Sequence, residues 1–337
     1  MQNSELRGQI RGLAGLYRPL TSGTFLPARR PPPVTEPALS LPTGHHFLRP
    51  YFGMSLATLF WASNAIAVKL ALREVPELAT VALRVTLAAA TLAVLHALTG
   101  GHFHLRRSER GNFWRLSLSG VAASFFCYTL GLNYTSVSHA VFINSLVPMS
   151  VLLIARIQGL EKITPAKFAG LLLSLAGVLS LAFDKAQTQL GGTGPGWSGD
   201  LLVLGSVWCF AFFTVESKKL ASAHPSLEFT TFAFLGAALW LSPLLAVESV
   251  RVSWKQITWL GWSSLLYSGM LGSAAAYLTY YYSLRLLPAS RVAAFHYLQP
   301  ALATALGVWI IHDNITARFG VGAALILAGL SLGQGRD

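Results

Sequence analysis

Charged residues are scarce in this sequence. Lys, Arg, Asp and Glu account for 11% of the 337 residues, and hydrophobic residues for 53%. Water-soluble globular chains carry roughly twice that share of charge, so the composition excludes that class. Cysteine is nearly absent as well. Cys127 and Cys209 both lie inside apolar runs, form no metal-binding spacing and say little about the redox compartment.

Acidic residues are missing where several chemistries would need them. No Asp or Glu lies deep within an apolar run, so proton coupling through a buried carboxylate is not expected. The chain has no G-x-x-x-x-G-K-[ST] loop for ATP, and no H-E-x-x-H motif or clustered acids for catalysis at a membrane. We therefore expect a protein that is not an enzyme and holds no cofactor and no metal.

Apolar runs of about 20 residues are present in abundance, from Tyr51 to the C-terminus. Each is long enough to cross a hydrocarbon core about 30 Å thick, and Pro and Gly punctuate the gaps between them. The predicted fold class is therefore all-α integral membrane, with the lipid bilayer as a partner and ten transmembrane helices. The ten predicted spans are about 51–70, 78–98, 113–133, 137–156, 167–183, 199–217, 227–247, 258–284, 289–311 and 317–334.

The sequence also contains an internal repeat. The stretch from Cys127 to Ser180 matches the stretch from Thr279 to Leu332 at a constant offset of 152 positions without gaps. The matched pairs include Tyr128/Tyr280, Leu132/Leu284, Ser138/Ser290, Pro148/Pro300, Glu161/Asp313 and Gly170/Gly322. Because five spans per repeat is an odd number, the two repeats must be inverted relative to each other. Inverted repeats are typical of secondary transporters, although some channels have them too.

These observations predict four segments. Residues 1–50 are rich in Arg and Pro and have no apolar run, so we expect a disordered tail, with a transit peptide or a true start at Met54 as alternatives. Residues 51–183 form the first repeat, 184–198 a linker and 199–334 the second repeat.

The basic residues predict the orientation. If the N-terminus is cytoplasmic, 18 of the 25 Lys and Arg residues lie in the tail or at the cytoplasmic ends of spans, and six lie outside. This positive-inside bias predicts a multi-pass protein of the cell membrane with both termini in the cytoplasm. It also accounts for the net charge of +12 without nucleic acid as a partner. A homodimer is left open.

Several short motifs resemble those of the EamA family of the drug/metabolite transporter superfamily. Phe60-Trp61-Ala62-Ser63-Asn64 followed by Lys69 is similar to the family's W-G-x-N…K pattern, although Ala62 replaces the usual Gly. The family's signature in spans three to five is matched by Gly131-Leu132, Tyr134-Thr135-Ser136, Ala140, Pro148, Glu161, Gly170 and Gly177. The second copy matches through Pro288-Ala289, Pro300, Asp313, Gly322 and Gly329, with Asp313 where Glu is commoner. The resemblance covers about Tyr51 to Leu332. It implies ten helices, two EamA repeats and transport of small metabolites, often export.

Arg84 is the foremost candidate for binding a solute. It lies about six residues into the second span, roughly 9 Å below its end. An ionisable group inside a span is expensive and usually faces a cavity or a partner. A guanidinium there can anchor a carboxylate bidentately. Alternatively, Arg84 snorkels outward or pairs with Glu74 or Glu77.

Other polar residues sit beside helix-breaking prolines. Asn144 and His296 occupy the same repeat position, about one turn before the hinge prolines Pro148 and Pro300. Gln299 lies next to Pro300. Discontinuous helices expose such groups to a central site in transporters, although interhelical hydrogen bonding is the alternative. We predict that Arg84, Asn144 and His296 face one cavity.

The remaining candidates are one amide and two tyrosines. Asn64 lies mid-span in the first helix, where it either lines the path or bonds to another helix. Tyr128 and Tyr280 coincide in the repeat and could stack on a substrate, with interface anchoring as the alternative for Tyr280. Together these features favour a secondary carrier for small polar solutes. An enzyme acting on lipid-linked substrates and a non-transporting membrane partner are the competing classes.

Overall fold

A computed structural model describes residues 48–100, 107, 109–135, 137–182, 197–220, 223–250, 252–311 and 317–333. All of them belong to the unit Thr43–Asp337. Most of the predicted tail 1–50, nearly all of the linker 184–198, and Asp313 lie outside the described residues. The predicted repeats therefore have described structure only within the ranges above.

The described residues form helices joined by turns and short irregular segments, and they include no strand. We number the α-helices in chain order: α1 Leu48–Ala71, α2 Glu77–Leu98, α3 Arg110–Leu116, α4 Ala123–Tyr134, α5 Val137–Asn144, α6 Val147–Ile157, α7 Pro165–Ala182, α8 Trp197–Leu220, α9 Ser226–Ser249, α10 Trp259–Gly269, α11 Ala276–Leu286, α12 Ala289–Ala294, α13 Leu298–Ile311 and α14 Ala317–Gly333.

Six helical stretches among the described residues are long and apolar enough to cross a membrane. They are α1, α2, α8, α9, Arg110–Tyr134 and Ala140–Ile157. Shorter apolar helices, Pro165–Gly177 and Gly320–Gly333, lie within α7 and α14. The chain is thus a multi-pass membrane protein whose described part is built from helices, and the count of ten spans stays a prediction.

Two π-helical turns occupy corresponding places in the two repeats. Ser117–Ala122 joins α3 to α4, and Met270–Ala275 joins α10 to α11. A π turn accommodates an extra residue in a helix and is frequent at functional sites. Here each turn bulges a helix without ending it, so each repeat keeps one long helix at this place.

The packing interleaves the two repeats. Helix α7 packs against α14, α2 against α9, and α4 against α8. Small residues permit the α7–α14 approach: a Cβ placed on Gly170 would lie 2.6 Å from the carbonyl oxygen of Gly329. Ser174 on α7 also donates a 3.3 Å hydrogen bond to the Ile326 carbonyl on α14. Close backbone contact through Gly and Ser is the usual means of helix association in lipid.

Two lysines hold corresponding helix ends. The Lys69 ammonium donates to the carbonyl oxygens of Leu132 (2.7 Å) and Thr135 (3.0 Å) at the end of α4. Lys218 likewise donates to the carbonyls of Leu284 (2.6 Å) and Leu287 (2.8 Å) at the end of α11. The carbonyls are related by the 152-residue offset. Lys69 lies buried in the last turn of α1, where the unpaired carbonyls of the neighbouring helix C-terminus attract its charge.

Candidate functional site

A central cavity lies between helices of both repeats. Its lining combines aromatic and neutral polar side chains with one guanidinium. The thirteen lining residues are Trp61, Asn64, Arg84, Ser124, Phe125, Tyr128, Asn144, Val147, Ser206, Phe210, Tyr277, His296 and Gln299.

Arg84 is buried in this cavity, with 4% of its surface exposed. Its Nε donates a 3.1 Å hydrogen bond to Ser273 Oγ, and the guanidinium carbon lies 4.4 Å from the centre of the Phe125 ring. Its Nη1 has no hydrogen-bond partner among the described residues. The side chain is therefore fixed by neutral neighbours while the NH₂ group at Nη1, with its two hydrogens, is left unpaired.

Arg84 neither snorkels outward nor pairs with Glu74 or Glu77. Burial rules out snorkelling, and the two nearby carboxylates have other partners. Glu74 accepts hydrogen bonds from the backbone N–H and the hydroxyl of Thr258, both at 2.7 Å. Glu77 accepts from the Tyr134 hydroxyl at 3.3 Å. The cavity thus contains a cation without an acidic neighbour among its lining residues.

Ser273, which no sequence motif marks, belongs to the second π turn. Its hydroxyl donates to the Ser268 carbonyl at 2.7 Å. Because the hydroxyl proton is used in that bond, the oxygen faces Arg84 as an acceptor. No local sequence signal predicts this, since serine occurs widely in membrane helices and the π turn itself has no clear motif.

His296 is held from three sides. Its ring stacks on Trp61, with centroids 4.9 Å apart, and meets the edge of Phe210 at 5.2 Å. Gln299 Nε2 lies 2.8 Å from His296 Nδ1. With the amide donating to Nδ1, a neutral imidazole has its proton on Nε2. That Nε2 is buried and has no partner among the described residues.

Two helix breaks carry Asn144 and His296 to the cavity. Asn144 ends α5, and α6 begins at Val147 with Pro148 in its first turn. His296 lies in a 3₁₀ turn, Phe295–Tyr297, ahead of α13. Proline is tolerated in a first helical turn because the N–H it lacks would be unpaired there anyway. Each break therefore precedes its proline, and it turns a polar side chain into the space between the repeats.

Asn64 meets the second π turn. It is 3% exposed, and a Cβ added to Gly272 would overlap its side chain. Its Oδ1 has no hydrogen-bond partner among the described residues. The glycine of the π turn therefore provides the space that lets a polar acceptor line the cavity.

The two tyrosines of the repeat have different surroundings. Tyr128 lines the cavity. Tyr280 does not, because its ring packs behind Trp61 at 5.2 Å and its hydroxyl bonds to Thr214 at 2.5 Å. Phe210 and Tyr277, which the repeat pattern does not mark, complete the aromatic wall.

Comparison with known proteins identifies the class of protein that this fold and cavity define. The family model described as "EamA-like transporter family" matches residues 48–183 and again 197–332. The chain belongs to this family of membrane transporters, and the twofold match confirms the two-repeat architecture.

Individual relatives agree with that assignment. The chain is similar to the uncharacterized transporter YetK of Bacillus subtilis, with 24% identity over 83% of this chain and 85% of the relative. An uncharacterized transporter of Archaeoglobus fulgidus is 25% identical over 84% of this chain and 98% of its own. A WAT1-related protein of Arabidopsis thaliana is 24% identical over 72% of this chain and 74% of its own.

A solved crystal structure supports the fold. It superimposes with a TM-score of 0.69 and 19% sequence identity, covering 85% of this chain and 96% of its own. At that identity the likeness concerns the fold alone.

Proposed function

We propose that this protein is a secondary-active carrier that exports small polar organic solutes, amino-acid-like or other, by alternating access between two inverted five-helix repeats. The observation that carries the proposal is the central cavity, whose lining comes from both repeats and includes the buried, incompletely bonded Arg84. A transporter with inverted repeats binds its solute between the two repeats near the membrane midplane.

The helix breaks support the alternating-access mechanism. The breaks before Pro148 and Pro300 lie beside the cavity and at symmetry-related positions. Bending at these two places would open one side of the cavity while the other closes, because inversion sets the two halves in opposite directions. Arg84, Asn64, Asn144, His296, Gln299 and Tyr128 are the proposed solute-binding residues, with Tyr280 supporting the aromatic wall behind them.

The membrane, the orientation and the driving force of this carrier are part of the proposal. The positive-inside bias favours ten spans in the cell membrane with both termini in the cytoplasm. In the absence of a nucleotide-binding loop, the driving force would be a solute or ion gradient.

The proposal is tested by counterflow in proteoliposomes containing the full chain, using a panel of radiolabelled metabolites. We expect selective exchange by the wild type. Val147→Trp places a bulky side chain in the cavity and should abolish exchange, whereas Leu153→Trp, on the exposed face of the same helix α6, should leave it nearly unchanged. Exchange that survives Val147→Trp, or no exchange of any solute, would contradict the proposal.

A further inference from the structure

We propose that the central cavity selects small organic monocarboxylates, solutes with a net charge of −1, over neutral and zwitterionic analogues of the same shape. This inference rests on the proposed function, because it takes the cavity to be the solute site. It adds a charge rule that the family does not supply. The rule follows from what surrounds Arg84.

The charge inside the cavity is not balanced. Arg84 is the one Lys or Arg among the thirteen lining residues, and none of the thirteen is Asp or Glu. The partners of its guanidinium are the neutral Ser273 hydroxyl and Phe125 ring. A buried charge is costly without an opposite charge. A bound monoanion would neutralise the site.

A zwitterion satisfies the site less well. Its carboxylate can meet Arg84, but its ammonium group enters a cavity with no carboxylate in the lining. The ammonium then loses its hydration without an ionic partner, which is expensive in a low-dielectric interior. A neutral amide brings no charge to Arg84 at all. Among solutes of one shape, the monocarboxylate therefore binds most tightly.

The unpaired atoms suit a carboxylate with a neighbouring donor. Arg84 Nη1 is a buried donor, Asn64 Oδ1 is a buried acceptor, and His296 Nε2 is a buried donor when Gln299 donates to Nδ1. All three have no partner among the described residues. A guanidinium N–H and an imidazole N–H are both donors that a carboxylate oxygen accepts. The acceptor matches a hydroxyl or amide N–H on the same solute. A 2-hydroxy acid has both groups.

Ser273 is the positioning residue for Arg84. Its hydroxyl proton is donated to Ser268 on the same π turn, so its oxygen accepts from Arg84 Nε. This contact holds one edge of the guanidinium and leaves Nη1 unpaired. Removing the hydroxyl should therefore weaken recognition of the carboxylate without removing the charge.

The test measures binding to the purified full chain by ligand-induced thermal stabilisation. The probes are matched in shape: 3-phenyllactate, its amide and phenylalanine, together with the smaller set lactate, lactamide and alanine. We expect at least one set to bind, with the hydroxy acid binding about ten- to hundred-fold tighter than the amide and the amino acid, the range expected for a hydrogen-bonded ion pair.

Variants assign the preference to Arg84. Arg84→Gln should reduce the acid-to-amide ratio to within about threefold, and Arg84→Lys should keep its direction. Ser273→Ala should lower the ratio, and Ser273→Thr, which retains the hydroxyl, should restore it. A purely structural effect of Ser273 would lower the Tm without changing this ratio.

The outcomes separate the two proposals. Equal or tighter binding of the amides or amino acids, no binding by either set, or a preference that survives Arg84→Gln would overturn the charge rule. Counterflow of solutes without any acid preference would leave the carrier intact and remove the rule. Binding of acids with this preference, but no counterflow, would keep the rule and remove the carrier.

Discussion

At the scale of single residues, three buried or partly buried cations differ in the partners of their N–H groups. Lys69 and Lys218 donate to the carbonyl oxygens that end α4 and α11. Arg84 instead has a hydroxyl and an aromatic ring as partners, and its Nη1 is unpaired among the described residues. Cations that close helix ends stabilise the fold, whereas an incompletely bonded cation in a cavity is suited to a ligand.

Replacing Lys69 should destabilise the protein without a direct effect on the cavity. Lys69→Met keeps the length of the side chain but leaves the carbonyls of Leu132 and Thr135 without their donor. We expect a loss of about 1.5–3 kcal/mol in the free energy of unfolding, the range for hydrogen bonds to a charged group. The Tm, measured by thermal unfolding in detergent, should fall by several degrees.

An exposed lysine provides the control. Lys255 lies at the surface, so Lys255→Met should change stability by no more than about 0.5 kcal/mol. Equal Tm values for the two variants would show that the buried bonds of Lys69 contribute nothing net.

At the scale of elements, the α7–α14 contact depends on the absence of side chains. A Cβ on Gly329 would lie 2.5 Å from the carbonyl oxygen of Gly170, and would also meet Ser174. A Cβ on Gly320, in the same helix, would have no neighbour within 4 Å in the part of the chain that the structure describes. Helix packing therefore requires a glycine at position 329 but not at position 320.

Alanine substitution at these two positions of α14 should change the free energy of unfolding in opposite directions. Gly329→Ala forces the backbones of α7 and α14 apart and should cost about 1–3 kcal/mol. Gly320→Ala should be neutral or stabilising by up to about 1 kcal/mol, because alanine is the better helix former. Thermal unfolding of both variants checks the prediction, and a loss at Gly320 matching that at Gly329 would refute the packing argument.

At the scale of the whole molecule, a carboxylate connects the two repeats. Glu161, after the end of α6, accepts hydrogen bonds from the backbone N–H of Ser290 at 3.1 Å and from its hydroxyl. Lys167 Nζ lies 3.8 Å from the same carboxylate. Ser290 belongs to the first turn of α12, where unpaired N–H groups favour an anion. Helix α12 is thus held at its start by a residue of the other repeat.

Removing this carboxylate should loosen α12. In Glu161→Ala, hydrogen exchange of the amides in the first turn of α12 should rise by about tenfold, the equivalent of one charge-assisted bond. Glu77→Ala is the comparison, since Glu77 bonds to Tyr134 within the first repeat and should leave α12 unchanged. Unaltered exchange in Glu161→Ala would mean that helix packing alone holds α12.

Part of the site can be predicted from the sequence because the internal repeat shows the same polar position before a proline twice. Asn144 and His296 share a repeat position before a shared proline, and both line the cavity. Arg84 stands out because a charge within an apolar run needs a reason. Ser273 and Phe210 could not be found this way, since serine and phenylalanine are ordinary residues of membrane helices. Only the π turn and the helix packing bring them to Arg84 and His296.

The sequence by itself determined the class of molecule. Low charge and long apolar runs require helices in lipid, and the 152-residue repeat requires two related halves. The tertiary structure decided which polar groups are satisfied. Tyr280 is bonded to Thr214 while Tyr128, its repeat partner, lines the cavity. The physical reason is that a hydrogen bond or an ion pair depends on a few ångströms between helices far apart in the chain, and spacing along the chain does not encode that distance.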